Sequence, residues 1–306
     1  MKITDFIEKL EQEEKRTRTK LYDLETLAVL KKKAQEYDGE DKLISFEDVA
    51  EKIKNEPEEE KVFTGWNQFD DIVKGFRPKQ LITVSGITKH GKTSWLMAMS
   101  AKLAKYNPTW FLFEEGPDEI VRKFLEKKLP VPHGFTPSYM SGSTTDWIEQ
   151  KVIEAIAKYN SKIIFIDQLD FIVPFNAPDH ALLIGKAMRE LKGIAKKWDI
   201  IIVLICHLKK SQMDKHPNLE DLKGSSSIGQ ESDTVILIWR ETKRRDDGEI
   251  TITNNTVVSV QANRRAGKTG NVKMVYDFDK GEYAEFDWSA DASSEDNDFM
   301  RRITSK

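Results

Sequence analysis

The chain contains one cysteine, Cys206, in 306 residues. No disulfide can form within it, and a reducing compartment, the cytoplasm, is the expected location. With a single cysteine and five scattered histidines, no Cys/His set has the spacing of a structural zinc site. No stretch approaches the run of about 20 apolar residues that a membrane helix needs. The opening "MKITDFIEKLEQEEKRTRTK" lacks the apolar segment of a secretory signal, so neither membrane insertion nor export is expected. A strong basic excess is also missing, since the net charge is -3. Any contact with nucleic acid must then be confined to a loop or a channel lining.

What is present divides into three parts. Residues 1–60 are rich in Glu and Lys and read as a helical extension. Within it, "LYDLETLAVLKKKAQEY" (21–37) places Leu21, Leu24, Leu27 (or Ala28) and Leu30 on one stripe of an amphipathic helix. "KNEPEEEK" (54–61) reads as an exposed linker. From 61 to 288, β-rich apolar runs alternate with helical stretches: "LITVSG", "TWFLFE", "KIIFID", "IIVLICH" and "DTVILIW". Four of the five are almost continuously apolar. That pattern predicts strands covered on both faces, hence a mostly parallel sheet flanked by helices in an α/β fold. "TITNNTVVSVQAN" and "VKMVYDFDKGEYAEF" read as strands and hairpins at a sheet edge. The polar tail, 289–306, is expected to be flexible.

"GITKHGKTS" (86–94) carries Gly86, Gly91, Lys92 and Thr93 in the pattern G-x-x-x-x-G-K-[ST], between a predicted strand and a predicted helix. Backbone N–H groups of such a loop, with Lys89, His90 and Ser94 among its members, cradle phosphates at the following helix N-terminus. Lys92 reaches the β- and γ-phosphates and Thr93 holds Mg²⁺. Asp167 ends the apolar run "KIIFID", where a carboxylate holds the shell of that ion. Glu114 ends "TWFLFE" at the tip of the next strand, placed to polarise an attacking water. Glu115 beside it leaves a one-residue ambiguity. His207 ends "IIVLICH" and is either a γ-phosphate contact or a packing residue. Cys206 points to the opposite face of that strand and reads as core.

A second Gly-Lys-Thr occurs in "RRAGKTG" (264–270). A second phosphate loop would need glycine at Ala262, and a helix where "GNVKMVY" predicts a strand. The string reads instead as a tight turn presenting Arg264, Arg265 and Lys268. Such a tip touches nucleic acid, enters a neighbouring subunit's nucleotide site as an arginine finger, or is simply solvated.

"LICHLKKSQMDKHPNLEDLKGSSSIGQESDTVILIWR" (204–240) resembles the helicase domains of phage primase–helicases and of Twinkle, and more broadly the DnaB family of replicative helicases. "VFTGWNQFDDIVKGFRPKQLITVSG", "LFEEGPDEI" and "NRRAGKTG" extend the resemblance over about residues 62–286. It implies a RecA-like P-loop NTPase core in which His207 senses the γ-phosphate. Lys209, Lys210 and Lys215 would then grip single-stranded DNA, with Lys223, Gly224, Ser225 and Ser226 as a second DNA-contacting motif. Arg240 falls where an Arg packs on the nucleotide base, with Tyr276 or Phe278 on the other face. The finger is Arg265 in the DnaB alignment and Arg264 in the phage alignment. In either, the family's accompanying Lys is missing, replaced by Asn263 or Ala262.

The resemblance implies a hexameric ring that hydrolyses ATP, or another NTP or dNTP, with Mg²⁺. It would translocate 5′ to 3′ on single-stranded DNA at a replication fork, with residues 21–37 docking on the adjacent subunit. The first 60 residues are too short for a primase module, so a separate primase, polymerase or loader is expected as partner. A RecA-like recombinase or filament ATPase, a KaiC-like regulatory ATPase, and a ring subunit that binds nucleotide without turnover remain alternatives.

Overall fold

The computed structural model describes residues 24–36, 43–173, 179–208, 216–222, 225–244 and 250–286, with Glu8 and Gln12 besides. The chain divides into two units between Glu58 and Glu59.

In the first unit, α1 (Leu24–Glu36) and α2 (Phe46–Asn55) are the defined helices. α1 falls inside the amphipathic stretch expected at 21–37. α2 is sharply started: Ser45 accepts from the Asp48 N–H, and the Asp48 carboxylate accepts from the Ser45 N–H, a reciprocal capping box.

The second unit is built on one sheet. Its described elements are α3 (Asn67–Val73), β1 (Leu81–Gly86), α4 (Lys92–Lys102), β2 (Thr109–Leu112), α5 (Pro117–Glu126), α6 (Thr145–Tyr159), β3 (Ile163–Asp167), α7 (Leu169–Ile172), α8 (His180–Lys197), β4 (Ile201–Ile205), α9 (Ser225–Glu231), β5 (Thr234–Arg244), β6 (Ile250–Asn263), β7 (Gly270–Asp277) and β8 (Glu282–Glu285). The strand order is β2-β3-β4-β1-β5-β6-β7-β8. The first five strands pair in parallel, and β5 to β8 pair antiparallel.

Parallel strands need crossovers, and the helices that make them cover both faces. That is why β1, β2, β3 and β4 are buried at every position. One face packs under α3 and α4, where Trp66 stacks on Trp95 with ring centroids 5.4 Å apart. The other packs under α6 and α8, with Ile184, Met188, Leu191 and Ala195 of α8 buried at helical spacing.

β1 sits centrally between β4 and β5, so its carboxyl end opens into the crevice where ligands of open α/β sheets bind. The close approach there requires glycine: a Cβ on Gly86 would lie 1.9 Å from the Ile238 carbonyl oxygen of β5.

Candidate functional site: a phosphate loop at the centre of the sheet

β1 ends at Gly86 and α4 begins at Lys92, so residues 87–91 form the loop that turns strand into helix. Gly91 takes a left-handed φ of 86° as the α4 N-cap, and Lys89 takes φ 63°. These turns aim the free N–H groups of the α4 N-terminus out of the sheet end. The Lys92 ammonium folds back over the loop and donates to the carbonyls of Gly86 and Ile87 at 3.2 and 3.3 Å. Burial lowers its pKa, opposed by the carboxylates of Asp167 and Glu114.

His90 lies buried beneath the loop. Its Nδ1 accepts from the Arg240 N–H at 3.0 Å, which ties the loop to β5. Burial lowers the His90 pKa, helped by the charges of Arg240 and Lys92, in keeping with a ring nitrogen that accepts.

A cavity of about 450 Å³ opens above this loop. Lys89, Gly91, Lys92, Thr93 and Ser94 line its floor, with Asp167 at the end of β3 and Glu114, Glu115 and His207 just beyond the ends of β2 and β4. The residues read from the sequence as a nucleotide and metal site are therefore largely brought together. Gly86 and His90 lie under the loop rather than in the cavity wall.

Thr93 donates its hydroxyl to Asp167 Oδ2 at 3.0 Å. Asp167 Oδ1 is buried and has no hydrogen-bond partner. A hydroxyl and an unsatisfied carboxylate oxygen side by side fit a hard cation such as Mg²⁺, which takes few protein ligands and completes its shell with phosphates and water. Among the described residues, no group of three His, Cys, Asp or Glu side chains is placed to hold a metal by itself.

Burial raises the Asp167 pKa to about 6, with the Thr93 bond and the Lys92 charge pulling it down and Glu114 pushing it up. The folded value lies above the ordinary 3.8, so the folded state holds this proton after the unfolded state has released it. Stability of the metal-free protein is expected to fall as pH rises from about 4 to about 6. The full cost, on the order of 3 kcal/mol, is present above that. Asp167→Asn should remove this slope and raise the melting temperature of the metal-free protein at pH 7.5 by several degrees. Thermal unfolding of both proteins from pH 4 to 8, in chelator, checks it.

The Glu114/Glu115 ambiguity acquires a physical content. Glu115 forms an ion pair with Lys123 of α5. Glu114 instead acts electrostatically on Lys92 and Asp167, and its N–H lies 3.4 Å from the Asp167 carbonyl. β2 ends at Leu112, so both glutamates sit on the turn beyond the strand rather than on it. Cys206 is buried in the core, and burial drives its thiol pKa far up, so it is no nucleophile.

The base-contacting expectation is only partly matched by placement. Tyr276 lines the cavity; Phe278 and Arg240 do not. β7 ends at Asp277, so Phe278 lies in the following turn and does not share a strand face with Tyr276 as expected. It packs edge-on against the Tyr276 ring instead. The Arg240 guanidinium is held by β6, donating to the Thr253 carbonyl at 2.6 Å and to Asn254 Oδ1 at 3.2 Å.

"RRAGKTG" forms the β6–β7 turn, with Gly267 at φ 63°; a strand follows it, as the sequence predicts. Neither Arg264 nor Arg265 lines the chain's own cavity, and both are exposed. Arg265 pairs with Glu59 at 3.1 Å, Lys268 pairs with Asp71 at 2.9 Å, and Arg264 reaches the Gly229 carbonyl of α9 at 3.5 Å. Asn263 is buried. Its amide donates to the Ile72 and Val73 carbonyls and its Oδ1 accepts from the Ala266 N–H. At 263, one of the two positions where the resemblance expects a Lys, the side chain present therefore points inward and anchors the turn.

Lys209, Lys210, Lys215, Lys223 and Gly224 lie outside the described residues, as do the side chains of Ser225 and Ser226, whose backbone begins α9. The ends of the first loop are defined. Leu208 bridges to Leu222, and Asn218 and Asp221 cap each other around a 3-10 turn, Leu219–Asp221. Asp221, which belongs to the string resembling a DNA-contacting motif, thus shapes the turn before it.

Two features lie beyond the sequence expectations. One is α2, although Ser45–Asp48 has capping-box spacing and Phe46, Val49 and Ile53 fall on one stripe. The other is the α5 wall of the cavity, Ile120, Lys123, Phe124 and Lys127, which has the pattern of an ordinary amphipathic helix.

Comparison with known proteins agrees with this architecture. Solved structures with similar folds include an ATPase domain with TM-score 0.64 and 18% identity, over 79% of this chain and 97% of that one. A second is a DnaB-like replicative helicase studied with primase, with TM-score 0.64 and 17% identity over 93% and 75%. Replicative DNA helicase DnaB of Haemophilus influenzae is 24% identical, covering 78% of this chain and 58% of its own length. The Twinkle homolog of Arabidopsis thaliana is 23% identical, covering 79% and 40%. The chain thus spans about half the length of such relatives. The model of the DnaB-like helicase C terminal domain matches residues 61–168 and 137–287, and the chain belongs to that family.

Proposed function

We propose that the chain is the ATP-driven motor of a replicative DNA helicase, working as a ring of identical subunits on single-stranded DNA. The observation that carries this reading is the convergence of Lys92, Thr93, Asp167, Glu114 and His207 on one cavity at the carboxyl ends of β1 to β4, in a member of the DnaB-like family.

Lys92 and the loop N–H groups bind and orient the triphosphate. Thr93 and Asp167 would hold Mg²⁺, which would supply charge neutralisation on the phosphates. Glu114 orients the water for in-line attack and draws on its proton. His207, two residues past the end of β4, touches the γ-phosphate and passes its loss to the loop that follows Leu208. Arg264 or Arg265 completes the site of the adjacent subunit, since neither reaches its own. Tyr276 supports the base; the expected contact through Arg240 requires its guanidinium to leave Thr253 and Asn254. Lys209, Lys210, Lys215, Lys223, Gly224, Ser225 and Ser226 track the strand through phosphate contacts.

Ring assembly uses the N-terminal unit. The docking role read for residues 21–37 falls on α1, where Val29 and Leu30 are exposed. α2 is the better-defined surface, with Phe46 90% exposed and Ile53 63% exposed. A hexamer, 5′–3′ polarity, the cytoplasm as location and a separate primase belong to this reading. None of the described helices is long and apolar enough to cross a membrane.

The test is strand displacement on synthetic forks with a 5′ tail, a 3′ tail or both, with ATP and Mg²⁺. The wild type should unwind forks carrying a 5′ tail, and Lys92→Ala should unwind none. Strand exchange by open filaments would shift the reading to a recombinase. Hydrolysis indifferent to DNA would shift it to a regulatory ATPase.

A further inference from the structure

The cavity has two chemically distinct ends. The floor at the α4 N-terminus is charged and polar. Away from it, the walls are Met97, Ile120, Phe124, Leu129, Tyr276 and Gly281. Met97 lies five residues along α4 from Lys92, about 7.5 Å at helical rise, so this apolar wall is within reach of the sugar or base of a nucleotide whose phosphates sit on the loop.

Two segments close that end. α5 shows it one face, at 120, 123, 124 and 127, the i, i+3, i+4, i+7 pattern. Beyond α5, Leu129 is buried and meets the β7–β8 turn: a Cβ on Gly281 would lie 2.7 Å from its methyl carbon. Gly281 also has φ 69°, a left-handed backbone that favours glycine.

Of the two α5-face cations, Lys123 is committed to Glu115 and Glu119. Lys127, the α5 C-cap, has no acidic partner among the described residues and stands beside Leu129 on the cavity wall.

We infer that Lys127 is a nucleotide-binding residue of this chain, its ammonium donating to acceptor atoms on the base edge or sugar at the end walled by Leu129 and Tyr276. This rests on the cavity being a nucleoside triphosphate site, as proposed above. It adds a contact supplied in cis by α5 at the end away from the phosphates, beside an Arg240 guanidinium that is held by β6.

The test is calorimetric titration of the full chain with a non-hydrolysable ATP analogue and, separately, with inorganic tripolyphosphate, both with Mg²⁺. Lys127→Met keeps the side-chain stem and removes the charge. It should weaken the analogue about tenfold, the scale of one hydrogen bond from a charged donor, and leave tripolyphosphate unchanged. Lys127→Arg should recover most of the loss. Equal weakening of both ligands, or of neither, overturns the inference while leaving the nucleotide site in place. A wild type that binds neither ligand overturns the nucleotide reading itself, and this inference with it.

Discussion

Replacing Glu114 with Gln is expected to lower DNA-stimulated ATP turnover by about 10²–10⁴-fold, the range associated with a positioned general base. Nucleotide affinity should stay within a few-fold, because Gln keeps the shape and removes only the charge. Glu115→Gln is the paired control. Its carboxylate is engaged by Lys123, and a half-exposed ion pair of this kind contributes about 1 kcal/mol or less, so turnover should change by no more than a few-fold. The contrast arises from placement. Glu114 shares the field of Lys92 and Asp167, where charge develops in phosphoryl transfer; Glu115 faces α5. Steady-state turnover and equilibrium binding of both variants decide the matter, and the assignment fails if Glu115→Gln carries the larger loss.

That one-residue choice shows where reading the sequence stops. β1 and β3 are legible because burial on both faces makes their apolar runs continuous, and the loop is legible because its glycines answer steric demands such as the Ile238 carbonyl over Gly86. The antiparallel extension is legible from the β-rich run "TITNNTVVSVQAN", which falls in β6. Side-chain commitments are not. The sequence places Glu114 and Glu115 next to each other and says nothing of Lys123, eight residues on. It makes Tyr276 and Phe278 equivalent by strand periodicity, but β7 ends between them. The resemblance marks Asn263 or Ala262 as a missing lysine, whereas the fold uses the Asn263 amide to pin the turn to the α3 carbonyls. α2 is hidden for another reason. Its stripe is only three residues long, Phe46, Val49 and Ile53, and its end runs into the stretch that reads as a linker.

The largest effect is expected at the β6–β7 turn. A trans-acting arginine finger accounts for about 10³–10⁵ in turnover, so one of the single variants Arg264→Ala and Arg265→Ala should lose activity on that scale. The other should stay within a few-fold. The turn offers a different setting to each. Arg265 is paired with Glu59, which also takes Arg77, but exposed pairs are weak and release the side chain cheaply. Arg264 has its N–H fixed to the Asp233 carbonyl at 2.8 Å and its guanidinium near the Gly229 carbonyl of α9. It therefore lies against α9, the helix that begins within the stretch proposed above as a second DNA contact.

If Arg264 is the finger, strand movement and trans catalysis share a mechanical link through α9. If Arg265 is the finger, the link runs instead through Glu59, at the start of the second unit. Mixing restores what each variant lacks. In a 1:1 mixture of the inactive finger variant with inactive Lys92→Ala, about one interface in four pairs an intact phosphate loop with an intact finger. Turnover should reappear only on mixing. Two inactive proteins that stay inactive together, although they co-assemble, would mean that the arginine acts within its own subunit, against its placement outside that subunit's cavity.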